Sequence, residues 1–144
     1  MNIGLYSFNT MEAKQVEKLS NDIIQGFIWV DNIYLYSENT TKQRIQCRQA
    51  FKKIIEDHKK QKIDWIVFED FNTMSQDYYT RGLMLKELLN NNCNFDFLKE
   101  NTSSQSNRII LETQIHMSNY IKESNDERSR MGNKIAKKLK GKKV

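Results

Sequence analysis

The chain has 144 residues, 38% of them apolar and 28% charged, with fifteen aromatic side chains and no proline. That length suits one domain able to bury about two thirds of its unfolded surface, and the aromatic content excludes a disordered chain. The longest uncharged apolar stretch, near residues 26–30, falls far short of the roughly 20 residues a membrane span needs, and no leader-like segment opens the chain. The expectation is a cytoplasmic protein without a membrane partner. Cys47 and Cys93 lack metal-ligand spacing and read as reduced and packed, so neither metal nor cofactor is expected.

The net charge of +5 hides a division. Residues 1–127 hold all eighteen acidic side chains against fifteen basic ones, a net of −3, whereas residues 128–144 carry eight cations and no anion. Such a segment has no local acidic partner, and a polyanion whose condensed counterions it can release is the partner its chemistry fits. The plainer reading is a solvated, solubilising tail.

In chain order, Asn2 to Phe8 is apolar and β-prone and predicts a first strand. Thr10 offers a cap, and Val16, Leu19, Ile23 and Ile24 recur at helical spacing over 11–25, with Gly26 as the stop. Phe27 to Tyr36 predicts a second strand and residues 37–41 a loop. Ala50, Phe51, Ile54 and Ile55 share one face of a helix over about 42–60. Ile63 to Phe68 suits a strand buried on both faces at the centre of a parallel sheet. Leu83, Leu85, Leu88 and Leu89 mark a helix over about 76–90, and Phe95 to Leu98 a fourth strand. Beyond Ser104, one long helix is expected from near Ser106 towards Lys140, with Ile109, Ile110, Met117, Tyr120 and Ile121 as its packing face and an almost wholly polar 122–130. About 35 helical residues span roughly 50 Å, more than a domain of this size, so the far end projects.

Strands alternating with helices define an α/β class: three layers, a mainly parallel sheet with helices on both faces, then the long C-terminal helix. The expected division is a body over 1–103 and, over 104–144, a dimerisation helix with a basic DNA-contacting tail.

Four stretches in order resemble the catalytic domain of the serine recombinases, the resolvase and invertase family. Residues 3–10, Ile-Gly-Leu-Tyr-Ser-Phe-Asn-Thr, match a first strand that is typically Ile-Gly-Tyr-Ala-Arg-Val-Ser-Thr. Residues 48–51, Arg-Gln-Ala-Phe, resemble the Arg-Pro-Gly-Phe that opens the family's second helix, and residues 62–67 its central strand. Residues 107–132 follow the family's long helix to its Glu-Arg-Thr-Arg-x-Gly end, here Glu127-Arg128-Ser129-Arg130-Met131-Gly132.

The departures bear on function. The resemblance implies a serine that attacks a DNA phosphate from the loop after the first strand, and arginines that stabilise the charged transition state. Asn9 occupies the serine position, and an amide nitrogen is no nucleophile at neutral pH. The first-strand arginine falls on Ser7, and the Asp-Arg-Leu-x-Arg loop on Asn72-Thr73-Met74-Ser75-Gln76, without either arginine. Losing one such donor typically costs about 10²–10³ in rate, so several losses imply no useful strand cleavage. Arg48 and Arg128 retain family positions, and Lys122 stands for an arginine, keeping charge without the planar fork.

The expected reading is therefore a resolvase-like protein of DNA recombination that binds DNA and dimerises, with itself or with an active recombinase, without cutting. No catalytic residue is assigned, Ser7 being a weak substitute nucleophile two residues early. The DNA-contacting candidates are Arg48, Lys122, Arg128, Arg130, Lys134, Lys137 and Lys138. Arg48 could equally serve structure, and Met117, Tyr120 and Ile121 could be core or dimer seam. Two alternatives stand beside this reading: an active recombinase with an unorthodox site, and a protein-interaction module of the same fold. Glu69, Asp70 and Asp77 read as charges ending a buried strand rather than a magnesium site, and His58 and His116 as packing or surface groups.

Overall fold

The computed structural model describes residues 1–105, 111–113, 115–117, 120, 127–128 and 131. Alternation along the first strand, β1 (Asn2–Ser7), sets the layers. Ile3 and Leu5 point to one side with Val67, where Leu19 and Ile23 of α1 (Ala13–Gly26) cover them. Tyr6 points to the other, with Ile66, Phe68, Phe95 and Phe97, beneath α2 (Gln49–Lys59) and α4 (Tyr78–Asn90). Two apolar faces on one sheet demand helices on both. Gly4 lies between them because a Cβ there would stand 2.9 Å from the Cδ1 atoms of both Ile54 and Ile63, so α2 packs against bare backbone.

The strands β2 (Asn32–Ser37), β3 (Trp65–Phe68), β4 (Phe95–Phe97) and β5 (Thr102–Ser103) complete a five-stranded sheet in the order β2-β1-β3-β4-β5. The first four are parallel, Gly4 facing Tyr34 on one side and Ile66 on the other. Only β5, which the sequence does not announce, runs antiparallel, against β4. The class, the central place of β3 and its burial agree with the sequence reading.

Several boundaries differ, each for a local reason. Residues 27–31 are not strand: Phe27 caps α1 and packs edge-on against Trp65 at 5.7 Å, and Trp29 turns the chain at φ 64°. Thr10 is exposed and caps nothing; Glu12 holds the N-cap position. The helix expected over 42–60 divides into a 3-10 turn, Ile45–Cys47, and α2. It divides there because the Glu38 carboxylate accepts the N–H groups of Ala50 and Phe51, at 2.8 and 3.1 Å, fixing the helix start. The helix expected over 76–90 begins at Tyr78, where Asp77 accepts from the Thr80 N–H, and is preceded by an unforeseen short helix, α3 (Phe71–Met74).

Beyond residue 105 the described residues from Leu111 to Met131 are helical. Leu111 is buried in the larger core and Ile115 packs against it, whereas Met117 and Tyr120 are exposed. Among the described residues of this segment the packing contact is thus made by Leu111 and Ile115, outside the expected face. Ile109, Ile110 and Ile121 lie outside the described residues. Both cysteines are free thiols, Cys93 buried and Cys47 partly so. Among the described residues no helix is long and apolar enough to cross a membrane.

Candidate functional site

A parallel sheet gathers its loops at the carboxyl ends of its strands, where ligands of such folds bind. Here the Phe8 N–H donates to the Thr73 carbonyl at 2.9 Å, tying the β1–α1 loop to the β3–α4 connection. A polar cleft of about 350 Å³ opens between them, lined by Ser7, Asn9, Thr10, Asp70, Gln76 and Lys99 among others.

Each side chain in it is held by local structure. Asn9 is exposed at the mouth. Ser7 is 2% exposed and its Oγ donates to the Asn9 carbonyl at 2.5 Å, so its proton is committed to the backbone. Asp70 caps α3, accepting from the N–H and hydroxyl of Thr73, both at 2.6 Å. The Lys99 N–H donates to the Glu69 carbonyl, continuing the β3–β4 pairing, and this sets Lys99 Nζ 3.5 Å from both Glu69 and Asp70. Gln15 donates to the second Glu69 oxygen at 2.8 Å. The cleft therefore holds two carboxylates and one ammonium, and that ammonium is already paired.

Burial alone would raise the Asp70 pKa, but the two hydrogen bonds from Thr73 and the charge of Lys99 outweigh it and hold it below the usual value. A carboxylate depressed on folding contributes stability that is full above its unfolded pKa, 3.8, and is lost as pH falls through the lower folded value. Asp70→Ala should accordingly cost about 1 kcal/mol at neutral pH, with the gap to the parent closing in acid. Denaturant melts of both proteins from pH 7 downward check this; a gap that widened in acid would contradict it.

Two arginines grip the loop that lines the cleft. Arg48 has no exposed surface, and all five of its N–H donors are used: Nε on the Gln43 carbonyl, Nη1 on Tyr6 Oη and the Met74 carbonyl, Nη2 on Gln43 Oε1 and Ser75 Oγ, at 2.6–3.1 Å. The Phe8 ring lies over its guanidinium at 4.3 Å. Arg81, 6% exposed, donates to the Ser75 carbonyl and to Asn72 Oδ1 and stacks near Tyr78 and Phe71. Neither forms an ion pair among the described residues. The nearest anionic link to Arg48 runs through Tyr6, whose hydroxyl donates to Glu38 at 2.6 Å. Burial, then that bond to Glu38, drives the Tyr6 pKa far above the phenol range, so it stays protonated as donor.

The structure thus brings together Ser7, Asn9 and the 72–76 loop, and places Arg48 beneath them rather than on the surface. Arg128 is exposed on a helical segment some eighty residues further along the chain, beside exposed Glu127. Lys122, Arg130, Lys134, Lys137 and Lys138 lie outside the described residues. Asp77 caps α4 and Glu69 pairs with Lys99, which accounts for both acids without a metal. His58 accepts the Asn94 N–H at 3.2 Å, and burial lowers its pKa. His116 is exposed.

Sequence reasoning missed Glu38, Tyr6, Arg81 and Lys99. For Arg81 there was a signal: a lone cation leading into the apolar run Gly82-Leu83-Met84-Leu85. Glu38 and Lys99 act only through partners distant in sequence, and nothing local marks them.

Fold and cleft together define an α/β domain of the serine recombinase catalytic type. A resolvase family-site-specific recombinase from Streptococcus pneumoniae has a similar structure, with TM-score 0.69, 14% identity, and 95% of this chain and 97% of that one covered. The N-terminal catalytic domain of TP901-1 integrase is similar at TM-score 0.63 and 15% identity, covering 88% of this chain and 98% of that one. The model of the resolvase N-terminal domain matches residues 9–143, and the chain belongs to that family. No curated protein matches the sequence significantly.

Proposed function

We propose that this protein acts in DNA recombination as a DNA-associating, self-pairing member of its family that does not cut the strand. The observation that carries the reading is the cleft itself. Asn9 stands at its mouth, the Ser7 hydroxyl is buried on a carbonyl, and the one lysine is neutralised by Glu69 and Asp70. A phosphodiester approaching there meets net negative charge, whereas phosphoryl chemistry needs fixed positive charge around the developing oxyanion. The arginines that could supply it are spent on the 72–75 loop.

DNA association is assigned to the cationic segment 128–144 and Lys122, and pairing to the exposed Met117 and Tyr120 on the helix whose Leu111 and Ile115 face the core. The partner is a second copy or an active recombinase. In this reading the protein works in the cytoplasm, without a membrane partner.

A test is to select duplexes from a randomised library by binding to the full chain, incubate them with it, denature, and look for protein joined to DNA. No adduct is expected from the parent or from Asn9→Ser, since a restored hydroxyl still lacks its arginines. An adduct from the parent that vanishes in Ser7→Ala or Thr10→Ala would establish the competing reading, an active enzyme with an unorthodox nucleophile.

A further inference from the structure

Strand β2 is the outer strand of the sheet, paired with β1 on one side and, among the described residues, with no strand on the other. Exposed edges are usually blunted by a charge, a proline or a bulge. Residues 32–37, Asn-Ile-Tyr-Leu-Tyr-Ser, carry none of the first two, and the register with β1 is unbroken over all six pairs. The edge is also apolar on both faces. Leu35, opposite Leu5, is 46% exposed on the α1 side, and Tyr34, opposite Gly4, is 47% exposed on the α2 side.

Exposed apolar side chains also occur on α1 and in the turn that leads into β2. Ile24 and Ile28 are largely exposed and Trp29 is 83% exposed. Trp29 adopts φ 64°, the left-handed region that a bulky non-glycine residue rarely occupies. The amino terminus holds that turn, donating to the Trp29 carbonyl and to Asp31.

We infer that the β2 edge is an interaction surface for a second copy of this chain, joined by antiparallel β2–β2 pairing about a two-fold axis normal to the sheet. An uncharged strand meets itself without like-charge repulsion, which a strand bearing lysines would not. The symmetry also matches the faces. Because directly opposed residues share a face, Ile33 and Leu35 meet Ile33 and Leu35 of the other copy on the α1 side, and Tyr34 and Tyr36 meet their counterparts on the α2 side. Six strand residues alone bury too little for a stable interface, which needs about 1,000 Å² or more. Trp29 supplies part of the remainder, an aromatic side chain being able to bury roughly 150–250 Å². This surface is separate from the Met117 and Tyr120 face and needs no DNA.

Amide exchange of residues 32–37 in the full chain, without DNA, should slow with protein concentration, about fivefold when total chain concentration is ten times the dimer dissociation constant. Leu35→Lys places a natural edge blocker on an already half-exposed position and should abolish that dependence and halve the assembly mass in sedimentation. Trp29→Asn keeps a residue that tolerates positive φ, so it preserves the turn while removing the aromatic, and should weaken the assembly without lowering the Tm of the dilute, dissociated chain. Exchange at 32–37 that ignores concentration, or an assembly mass unchanged by Leu35→Lys, would overturn the inference. Concentration dependence confined to residues near Met117 and Tyr120 would do the same.

Discussion

Arg48→Ala should cost the fold about 3–5 kcal/mol, read as a drop in the denaturant midpoint at unchanged slope. The magnitude follows from the partners stranded rather than from the arginine itself. Removing the guanidinium leaves the Met74 carbonyl, Ser75 Oγ, Tyr6 Oη and both Gln43 oxygens with a lost donor in a region where Arg48 and Ser75 have no exposed surface. Each buried group left unsatisfied costs about 1–3 kcal/mol, partly recovered as water enters the cavity. Arg48→Lys should recover little, because one ammonium cannot reach five acceptors arranged for a planar fork. The same variants weigh the two roles open to this residue. A structural clamp loses stability first and DNA affinity only in proportion to unfolding. A phosphate contact would do the reverse: stability within about 1 kcal/mol of the parent with a large fall in DNA affinity.

Deleting residues 128–144 should abolish measurable binding to a mixed-sequence duplex while leaving the body folded. The eight cations of this segment are the excess that makes the chain basic, and the remaining 127 residues carry net −3. If six to eight of these cations each neutralise a phosphate, log affinity falls against log salt with a slope of about −5 to −7. That amounts to roughly 10³–10⁴-fold between 50 and 200 mM salt. The body should retain its melting temperature, since the described core ends at Leu111 and Ile115. Equal binding by both forms would move the DNA surface onto the body. No binding by either would favour a protein-interaction module over a DNA-associated one.

These two experiments separate what the cleft suggests from what the tail suggests. The proposed loss of cutting rests on Asn9 and on the spent arginines; the proposed DNA contact rests on charge far along the chain. The β2 edge is tested independently of both, because its pairing is read without nucleic acid and on the side of the strand away from β1.

The sequence by itself determined the class, the two-sided core and the fourfold order of family-like stretches, because apolar periodicity is a local property that burial then obeys. Leu19, Ile23, Phe51, Ile54, Leu85 and Leu88 were readable as core from helical spacing; which face of the sheet each covers was not. That Asn9 falls where the family has its serine was legible only through the resemblance of residues 3–10 to the family's first strand. What only the tertiary structure decided are the contacts between residues distant in the chain. Glu38 caps a helix twelve residues on, Lys99 closes on acids at the end of the neighbouring strand, and Arg48 and Arg81 fold over one loop from two helices. A side chain's charge says what it could bind; burial and hydrogen bonding decide whether that charge is already taken. Nothing local in the sequence tells a free cation from a committed one, and packing has given Arg48 five acceptors and Lys99 two carboxylates.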